Sequence, residues 1–100
     1  MYKDLEDKIE REYREFQTLM LATSRENIFS KAEEICFKTQ IRCILLNLNK
    51  KDKIIHKCKD ELMLVQNIID AVFLYCCDYK IALSMLEETV AQFLLQKDNV

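Results

Sequence analysis

The sequence predicts an all-α fold, a small bundle of four to five helices with a long charged N-terminal helix. The chain has 100 residues and contains no glycine and no proline, whereas average usage gives about a dozen of the two together. Glycine supplies the positive φ of tight turns and proline breaks helices, so a chain with neither is poor in the turns that sheets require. Apolar residues recur every three to four positions and nowhere alternate for long, which favours helices. Residues 1–100 are therefore expected to form a single helical domain.

The first predicted helix covers about residues 2–22. Its apolar stripe has the spacing of an amphipathic helix and consists of Leu5, Ile9, Phe16 and Met20. The opposite face carries acid-first pairs four residues apart, such as Asp7 with Arg11, each contributing a few tenths of a kcal/mol. A helix of this length extends about 30 Å. The sequence leaves open whether it docks on the core or projects from it.

A capping box at residues 23–26 predicts the start of a second helix, which runs from Arg25 to about Leu48. Its predicted inward stripe consists of Ile28, Phe29, Ala32, Ile35, Cys36, Thr39, Cys43 and Leu46. Further apolar residues widen this stripe until the C-terminal half is apolar almost all round: Ile41, Ile44, Leu45 and Leu48. We expect that half to be the most buried part of the bundle or to face a partner.

The segment 47–60 is predicted to connect the second helix to the third. The third helix begins at about Glu61 or at Asn67, and both starts remain open. Asp78 is predicted to be the N-cap of the last helix, over residues 79–96. The predicted apolar stripe of that helix consists of Leu83, Leu86, Val90, Phe93 and Leu94.

Composition favours a globular protein of the cytoplasm. Apolar residues make up 50% of the chain and charged residues 32%, which is enough to form a core and to solvate a surface. Every uncharged run is shorter than the roughly 18 residues of a membrane span, and charges crowd the N-terminus, where a secretory signal has an apolar core. The five cysteines are odd in number, so we expect reduced thiols that pack as small apolar side chains rather than a disulfide framework.

No pattern predicts a catalytic, cofactor or metal site. His56 is the single histidine, and on a helix it points away from Cys58, two residues on. A zinc site needs ligands at paired spacing, and a phosphate-binding loop needs glycine. Adjacent carboxylates such as Glu33 and Glu34 fit a solvated helix face. The prediction is a protein that is not an enzyme.

Charge is distributed unevenly along the chain. Residues 35–59 carry seven bases and one acid, a net charge of +6 between an N-terminal part of −3 and a C-terminal part of −5. The densest basic run consists of Lys50, Lys51, Lys53, Lys57 and Lys59. Such a run can neutralise phosphates, but it contains no arginine and no aromatic residue, and the sequence pI is about 5.4. A small nucleic-acid-associated regulator that uses this run is therefore the alternative interpretation, beside a docking patch for an acidic protein.

The apolar content exceeds what four short helices bury easily, which indicates a partner. Surplus apolar faces on small proteins often become interfaces, and tyrosine is enriched at interface centres. We therefore add Tyr75 and Tyr79 to the lysine run as candidate partner-binding residues. The predicted partner is another protein, a host complex. A homodimeric helical structural protein is a third interpretation, and burial of all these residues in an ordinary core is the alternative to any interface.

Two segments carry a resemblance to a known family: residues 26–41, which read ENIFSKAEEICFKTQI, and Asn67-Ile68-Ile69-Asp70. They resemble the E-x-I-x-x-x-A-x-E and N-x-x-D segments of a family of small uncharacterised all-helical proteins from Gram-positive gut bacteria, their phages and mobile elements. That family tends to carry proline where this chain has Ile68. The resemblance implies a mobile-element accessory protein, a class that includes stoichiometric inhibitors of host defence nucleases such as anti-CRISPR proteins. It implies no catalytic residue.

Overall fold

The structure, a computed structural model, describes residues 2–23, 31–51, 55 and 57–98. Every regular element within these ranges is helical, which confirms the all-α prediction. The α-helices, numbered in chain order, are α1 (Lys3–Leu21), α2 (Ala32–Lys51), α3 (Lys59–Leu64), α4 (Ile68–Asp78) and α5 (Leu86–Asp98). A 3₁₀ turn, Leu83–Met85, precedes α5. The bundle measures 41 × 27 × 21 Å.

The first helix lies along the bundle and does not project from it. α1 runs antiparallel to α2, since Tyr2 contacts Asn49 while the Tyr13 hydroxyl lies 2.9 Å from Thr39 Oγ1. The buried Asn49 side chain accepts the Tyr2 N–H and donates to the Tyr2 carbonyl, at 3.2 and 3.0 Å. These two bonds fix the start of α1 against the end of α2. The sequence left open whether α1 docks on the core or projects from it, and in the structure it docks.

Buried side chains from all five helices form one core cluster. Its largest fully buried members are Leu5, Ile9, Ile41, Leu45, Ile55, Leu62, Ile68, Ile69, Val72, Leu86, Val90 and Leu94. Burying one such side chain contributes about 1.5–3 kcal/mol relative to leaving it exposed. The packing of these apolar stripes, rather than helix propensity, holds the short helices together.

The predicted inward face of α2 is wrong. Cys36 and Cys43, assigned to that face, are exposed, whereas Phe37, Ile41 and Leu45 are buried. The C-terminal half of α2 is apolar almost all round, so the spacing of its residues does not determine which side faces the core. The positions of α1, α4 and α5 determine it.

A break at residues 65–67 divides the predicted third helix into α3 and α4. Val65 is extended, with ψ of 129°, and Asn67 Oδ1 accepts the N–H of Asp70 at 2.9 Å. Asn67 is thus the N-cap of α4, an interaction that contributes about 1 kcal/mol. Of the two starts predicted for the third helix, Asn67 is the N-cap of α4, whereas Glu61 lies within the separate short helix α3.

The connection from α4 to α5 also differs from the prediction. Asp78 is the last residue of α4 and not the N-cap of the next helix, which follows the 3₁₀ turn. α4 ends in a Schellman motif, in which Ile81 N–H donates to the Cys76 carbonyl at 3.0 Å and Lys80 N–H donates to the Cys77 carbonyl at 3.2 Å. Lys80 has a φ of 52°, the left-handed conformation for which glycine is preferred. A tight turn therefore forms here without glycine.

Replacing Lys80 with glycine is expected to raise the free energy of unfolding by about 0.5–1 kcal/mol. The reason is that a Cβ in the left-handed conformation costs about 1 kcal/mol, part of which glycine loses again through the entropy of the unfolded chain. Thermal unfolding measures this as a rise of roughly 4 °C in Tm. Lys80→Ala removes the same charge but keeps the Cβ. Equal Tm values for Lys80→Gly and Lys80→Ala would contradict the conclusion that the left-handed conformation of Lys80 is strained.

Several predicted features lie outside the described residues. They are the capping box beyond Thr23, together with Ile28, Phe29, Lys53 and His56. Thr23 itself is described, and its hydroxyl donates to the Leu19 carbonyl at 2.8 Å. That bond adds to the backbone bonds that close α1.

Candidate protein-binding surface

A buried ion pair joins α1 to the start of α4. Lys8 and Glu12 are 7% and 4% exposed, and Lys8 Nζ lies 3.1 Å from Glu12 Oε2. Glu12 Oε1 accepts the backbone N–H of Ile69 at 3.0 Å, while Lys8 Nζ donates to the Gln66 carbonyl at 3.4 Å. Glu12 Oε2 has no hydrogen bond of good geometry within the described residues, so the ammonium of Lys8 is its compensation. The carboxylate also lies at the positive end of the α4 dipole.

Lys38 is a second cation that the fold uses internally. Its buried Nζ lies 3.1 Å from Asp70 Oδ1 and 3.4 Å from Glu34 Oε1. The same atom lies 4.6 Å from the centre of the Phe16 ring and 5.4 Å from that of Phe73. Cation–π contacts of this kind strengthen when the cation is desolvated. Lys38 therefore ties α2 to both α1 and α4.

Arg42 is the third such cation. Its guanidinium binds Glu10 in bidentate geometry, with Nε to Oε1 at 2.6 Å and Nη2 to Oε2 at 3.0 Å. The guanidinium carbon also lies 5.0 Å from the centre of the Tyr13 ring. The hydrogen bonds from Arg42 lower the pKa of the Glu10 carboxyl, and those to Glu10 raise the pKa of Arg42. The sequence predicted neither this pair nor the pair of Lys38 with Asp70, because each joins residues 32 positions apart.

The predicted lysine run is only partly available to a partner. Lys59 Nζ lies 2.8 Å from Asp4 Oδ2 and 4.8 Å from the centre of the Tyr2 ring. This hydrogen-bonded pairing raises the pKa of Lys59 and lowers that of Asp4. Three further lysines of the run are exposed and form no ion pair with other described residues: Lys50, Lys51 and Lys57. Lys50 and Lys51 lie in the last turn of α2, where a cation stabilises the negative end of the helix dipole without any partner.

The two predicted tyrosines lie together on one face of α4. The Tyr75 ring centre lies 4.8 Å from that of Tyr79 and 5.7 Å from that of Phe93 on α5. Gln96 Nε2 donates to the Tyr75 hydroxyl at 3.1 Å. Tyr75 is half-buried by these contacts, whereas Tyr79 remains 62% exposed. Tyr79 is therefore the tyrosine that is free to contact another molecule.

The structure does not bring the predicted lysines and tyrosines into one site. Glu33 and Phe37, in the N-terminal half of α2, line the same cleft as Cys77 and Lys80, which lie at and just beyond the C-terminal end of α4. The tyrosines thus lie beside the N-terminal half of α2, while Lys50 ends the same helix. Thirteen residues of helix separate Phe37 from Lys50, a rise of about 20 Å.

The end of the bundle opposite the exposed lysines is rich in exposed apolar side chains. α1 ends there because it is antiparallel to α2, and α4 ends there as well, since Cys77, Lys80 and Ile81 share a cleft with Glu33 and Phe37 of α2. We call the following set the apolar end: Leu19, Leu21, Tyr79, Leu83 and Met85, which are 60%, 85%, 62%, 43% and 48% exposed. Leu83 was predicted to lie in the core stripe of the last helix. It lies instead in the 3₁₀ turn, because that helix begins later than predicted.

Two clefts open on either side of the first turns of α2, next to the apolar end. The cleft between α2 and α4 has a volume of about 330 Å³ and is lined mainly by Phe37, Phe73, Cys76, Cys77 and Ile81. The cleft between α1 and α2 has a volume of about 470 Å³ and is lined mainly by Tyr13, Phe16, Met20, Leu21 and Ile35. Burial raises the pKa of Cys76, so its thiol stays protonated and is no nucleophile. The clefts therefore offer apolar contact area, and the first of them also contains the exposed thiol of Cys77.

Comparisons with other proteins assign no family to this arrangement. No protein-family model matches the chain, and neither the curated proteins nor the solved structures yield a match. The described residues contain no group of three or more His, Cys, Asp or Glu side chains placed to bind a metal. None of the helices within those ranges combines the length and the apolar character that crossing a membrane requires. The apolar end is thus the most distinctive surface of the described chain.

Proposed function

We propose that this chain is a non-enzymatic protein–protein interaction module that binds its partner through the apolar end. The observation that carries the proposal is a set of five exposed large apolar side chains in the last turn of α1 and in the segment that follows α4. Isolated exposed leucines are ordinary on protein surfaces, whereas clustered ones next to apolar clefts are typical of interfaces. Tyr79 and Met85 are also of residue types enriched at interface centres.

The pairing of charges inside the fold supports the same proposal. Lys38 and Arg42 bind carboxylates of neighbouring helices, and Lys8 binds Glu12 of its own helix and the Gln66 carbonyl, so the three cations contribute to stability rather than to recognition. A partner of the apolar end would meet apolar side chains flanked by the exposed charges of Asp78, Lys80, Glu87 and Glu88. Its own surface is expected to be apolar with a polar rim, as in other non-obligate interfaces.

The class of partner follows from the sequence resemblance rather than from the geometry. The resemblance implies a mobile-element accessory protein, a class that includes stoichiometric inhibitors of host defence nucleases. We propose the same role here: a mobile-element accessory protein of the cytoplasm that binds, and by binding inhibits, a host complex that handles nucleic acid. An anti-CRISPR-like inhibitor is the most specific form of this proposal.

The alternative function is a small nucleic-acid-associated regulator. The observation in its favour is that Lys50, Lys51 and Lys57 are exposed and form no ion pair with other described residues. Lys53, the fourth lysine of that patch, lies outside the described residues. Lysines at this density contact phosphates, and binding would then weaken steeply with salt.

Affinity capture with three triple variants distinguishes the two functions. The apolar-end variant is Tyr79→Ser, Leu83→Ser and Met85→Ser. The matched control, Leu64→Ser, Leu74→Ser and Leu95→Ser, removes the same number of exposed apolar side chains from elsewhere on the surface. The lysine variant is Lys50→Ser, Lys51→Ser and Lys57→Ser.

We expect proteins captured by the wild-type chain from a lysate of a Gram-positive host to be lost with the apolar-end variant. The matched control and the lysine variant should keep them, at physiological salt. Capture that survives in the apolar-end variant but fails in the matched control would overturn the proposal. Retention of mixed-sequence DNA or RNA that only the lysine variant loses would establish the alternative.

A further inference from the structure

The outer face of α2 differs from that of α1, the other long helix, in having no charge along most of its length. Five exposed residues that recur every three to four positions form it: Ala32, Cys36, Gln40, Cys43 and Asn47. This uncharged face is about 22 Å long. The outer face of α1, by contrast, presents an exposed charge in almost every turn, including Lys3, Asp7, Arg11 and Arg14.

Opposite charges lie at the two ends of the uncharged face. Glu33 is exposed in the first turn of α2, and Lys50 and Lys51 are exposed in its last turn. A face with an acid at one end and bases at the other is complementary to an antiparallel copy of itself. Antiparallel pairing also places the positive end of each helix dipole beside the negative end of the other.

We propose that two copies of the chain form an antiparallel homodimer through the uncharged face of α2. A twofold axis beside the midpoint of Thr39 and Gln40 places Cys36 of one copy level with Cys43 of the second. The same axis places Glu33 about 6 Å along the helix axis from Lys50 of the second copy, a distance that two long side chains span. The interface is isologous and closes as a dimer. It shares no residue with the apolar end and, of the residues that line the two clefts, involves only Glu33, so it does not depend on the proposed function.

The dimer would present its two apolar ends in opposite directions. Each apolar end lies at the N-terminal end of α2, and antiparallel pairing places these two ends at opposite poles of the assembly. A partner that carries two copies of its binding surface would then be bound through both, with an avidity that exceeds the affinity of one site. If each partner molecule carries one such surface, the dimer would bind two partner molecules.

Charge reversal tests the pairing of the ends. Light scattering coupled to size exclusion is expected to give the mass of a dimer for the wild-type chain at micromolar concentration. Lys50→Glu with Lys51→Glu should weaken dimerisation by roughly tenfold or more, and adding Glu33→Lys should restore it. The apolar-end variant serves as the control and should remain a dimer. A monomer at every soluble concentration of the wild type, or a dimer that only the apolar-end variant loses, would overturn the inference.

Disulfide crosslinking tests the register. All proteins carry Cys77→Ser, because Cys77 is exposed, whereas Cys58 and Cys76 are buried. Copper phenanthroline with dissolved oxygen takes up the two electrons released when two thiols join, and the Cα atoms must approach within about 7 Å. The parent protein should form a covalent dimer, since Cys36 lies level with Cys43 of the second copy.

Cys36→Ser alone and Cys43→Ser alone should each lose the crosslink, because identical cysteines lie about 10 Å apart along the helix axis. An equimolar mixture of the two variants should regain it, and circular dichroism should show both variants folded. Crosslinks that persist in either single variant would indicate parallel pairing and overturn the register. Absence of any crosslink in the parent protein would do the same.

Discussion

Replacing Glu12 with alanine is expected to lower the free energy of unfolding by about 3–5 kcal/mol, a large part of the stability of a domain this small. The substitution leaves the buried ammonium of Lys8 without its carboxylate and the N–H of Ile69 without its acceptor. Both groups lie out of contact with bulk water, so water does not replace the lost partner. Breaking a buried pair from one side costs more than the pair contributes, because a charge remains that nothing compensates.

Chemical denaturation followed by circular dichroism measures this loss as a lower midpoint with an unchanged m-value. Glu12→Gln keeps an oxygen for the Ile69 N–H but loses the charge, so it should fall between alanine and the wild type. Glu15→Ala is the control on the exposed side of the same helix and should change stability by less than about 0.5 kcal/mol. A loss below about 1 kcal/mol for Glu12→Ala would show that this pair does not hold α1 to α4.

Leu45→Ala is expected to lower the free energy of unfolding by about 2–5 kcal/mol. Leu45 has no exposed surface and lies on α2, the helix that contacts α1, α4 and α5. Truncation removes the transfer free energy of the lost atoms and leaves a cavity that rigid neighbouring helices do not fill. A small bundle has few such side chains, so one loss is a large fraction of the whole.

The same substitution at Leu64 provides the comparison. Leu64 is 81% exposed, so Leu64→Ala should change stability by less than about 0.5 kcal/mol. Thermal unfolding of both variants measures the difference between the two sites. Similar losses of unfolding free energy at Leu45 and Leu64 would contradict the assignment of Leu45 to the core.

The sequence predicted the core-facing side of α1 correctly and that of α2 only in part. The distribution of apolar residues around the two helices explains the difference. On α1 most charges lie on the exposed face, so the spacing of Leu5 and Ile9 identifies the core side, although Lys8 and Glu12 are buried there as well. On α2, Ile44 and Leu46 lie on either side of Ile41 and Leu45, and the spacing no longer selects one face. Only the neighbouring helices determine that Cys36 and Cys43, both predicted to be buried, face outward.

The turn after α4 was not predicted because its residues are not those that usually form turns. Lys80 takes the left-handed conformation in a Schellman motif, and nothing local distinguishes this lysine from others in the chain. The assignment of Asp78 as an N-cap followed from its residue type alone. The error moved the start of the last helix and placed Leu83 in the core.

The candidate site was predicted from the sequence only in part. Tyr75 and Tyr79 were predicted as binding residues on two different helices, and their rings contact each other because α4 continues to Asp78 and Tyr79 is its C-cap. The pairing of Lys59 with Asp4 joins distant parts of the chain and reduces the charge of the predicted basic patch. Leu19 and Leu21 join the apolar end because α1 is antiparallel to α2, which a single sequence does not reveal.

Site-specific photocrosslinking in a Gram-positive host tests the central claim most directly. Benzoylphenylalanine at position 79 places the probe on the apolar end, and the same residue at position 51 places it on the exposed lysines. We expect position 79 to give a discrete protein adduct and position 51 to give none. Adducts from position 51 alone, whether with protein or with nucleic acid, would contradict the assignment of the apolar end as the binding surface.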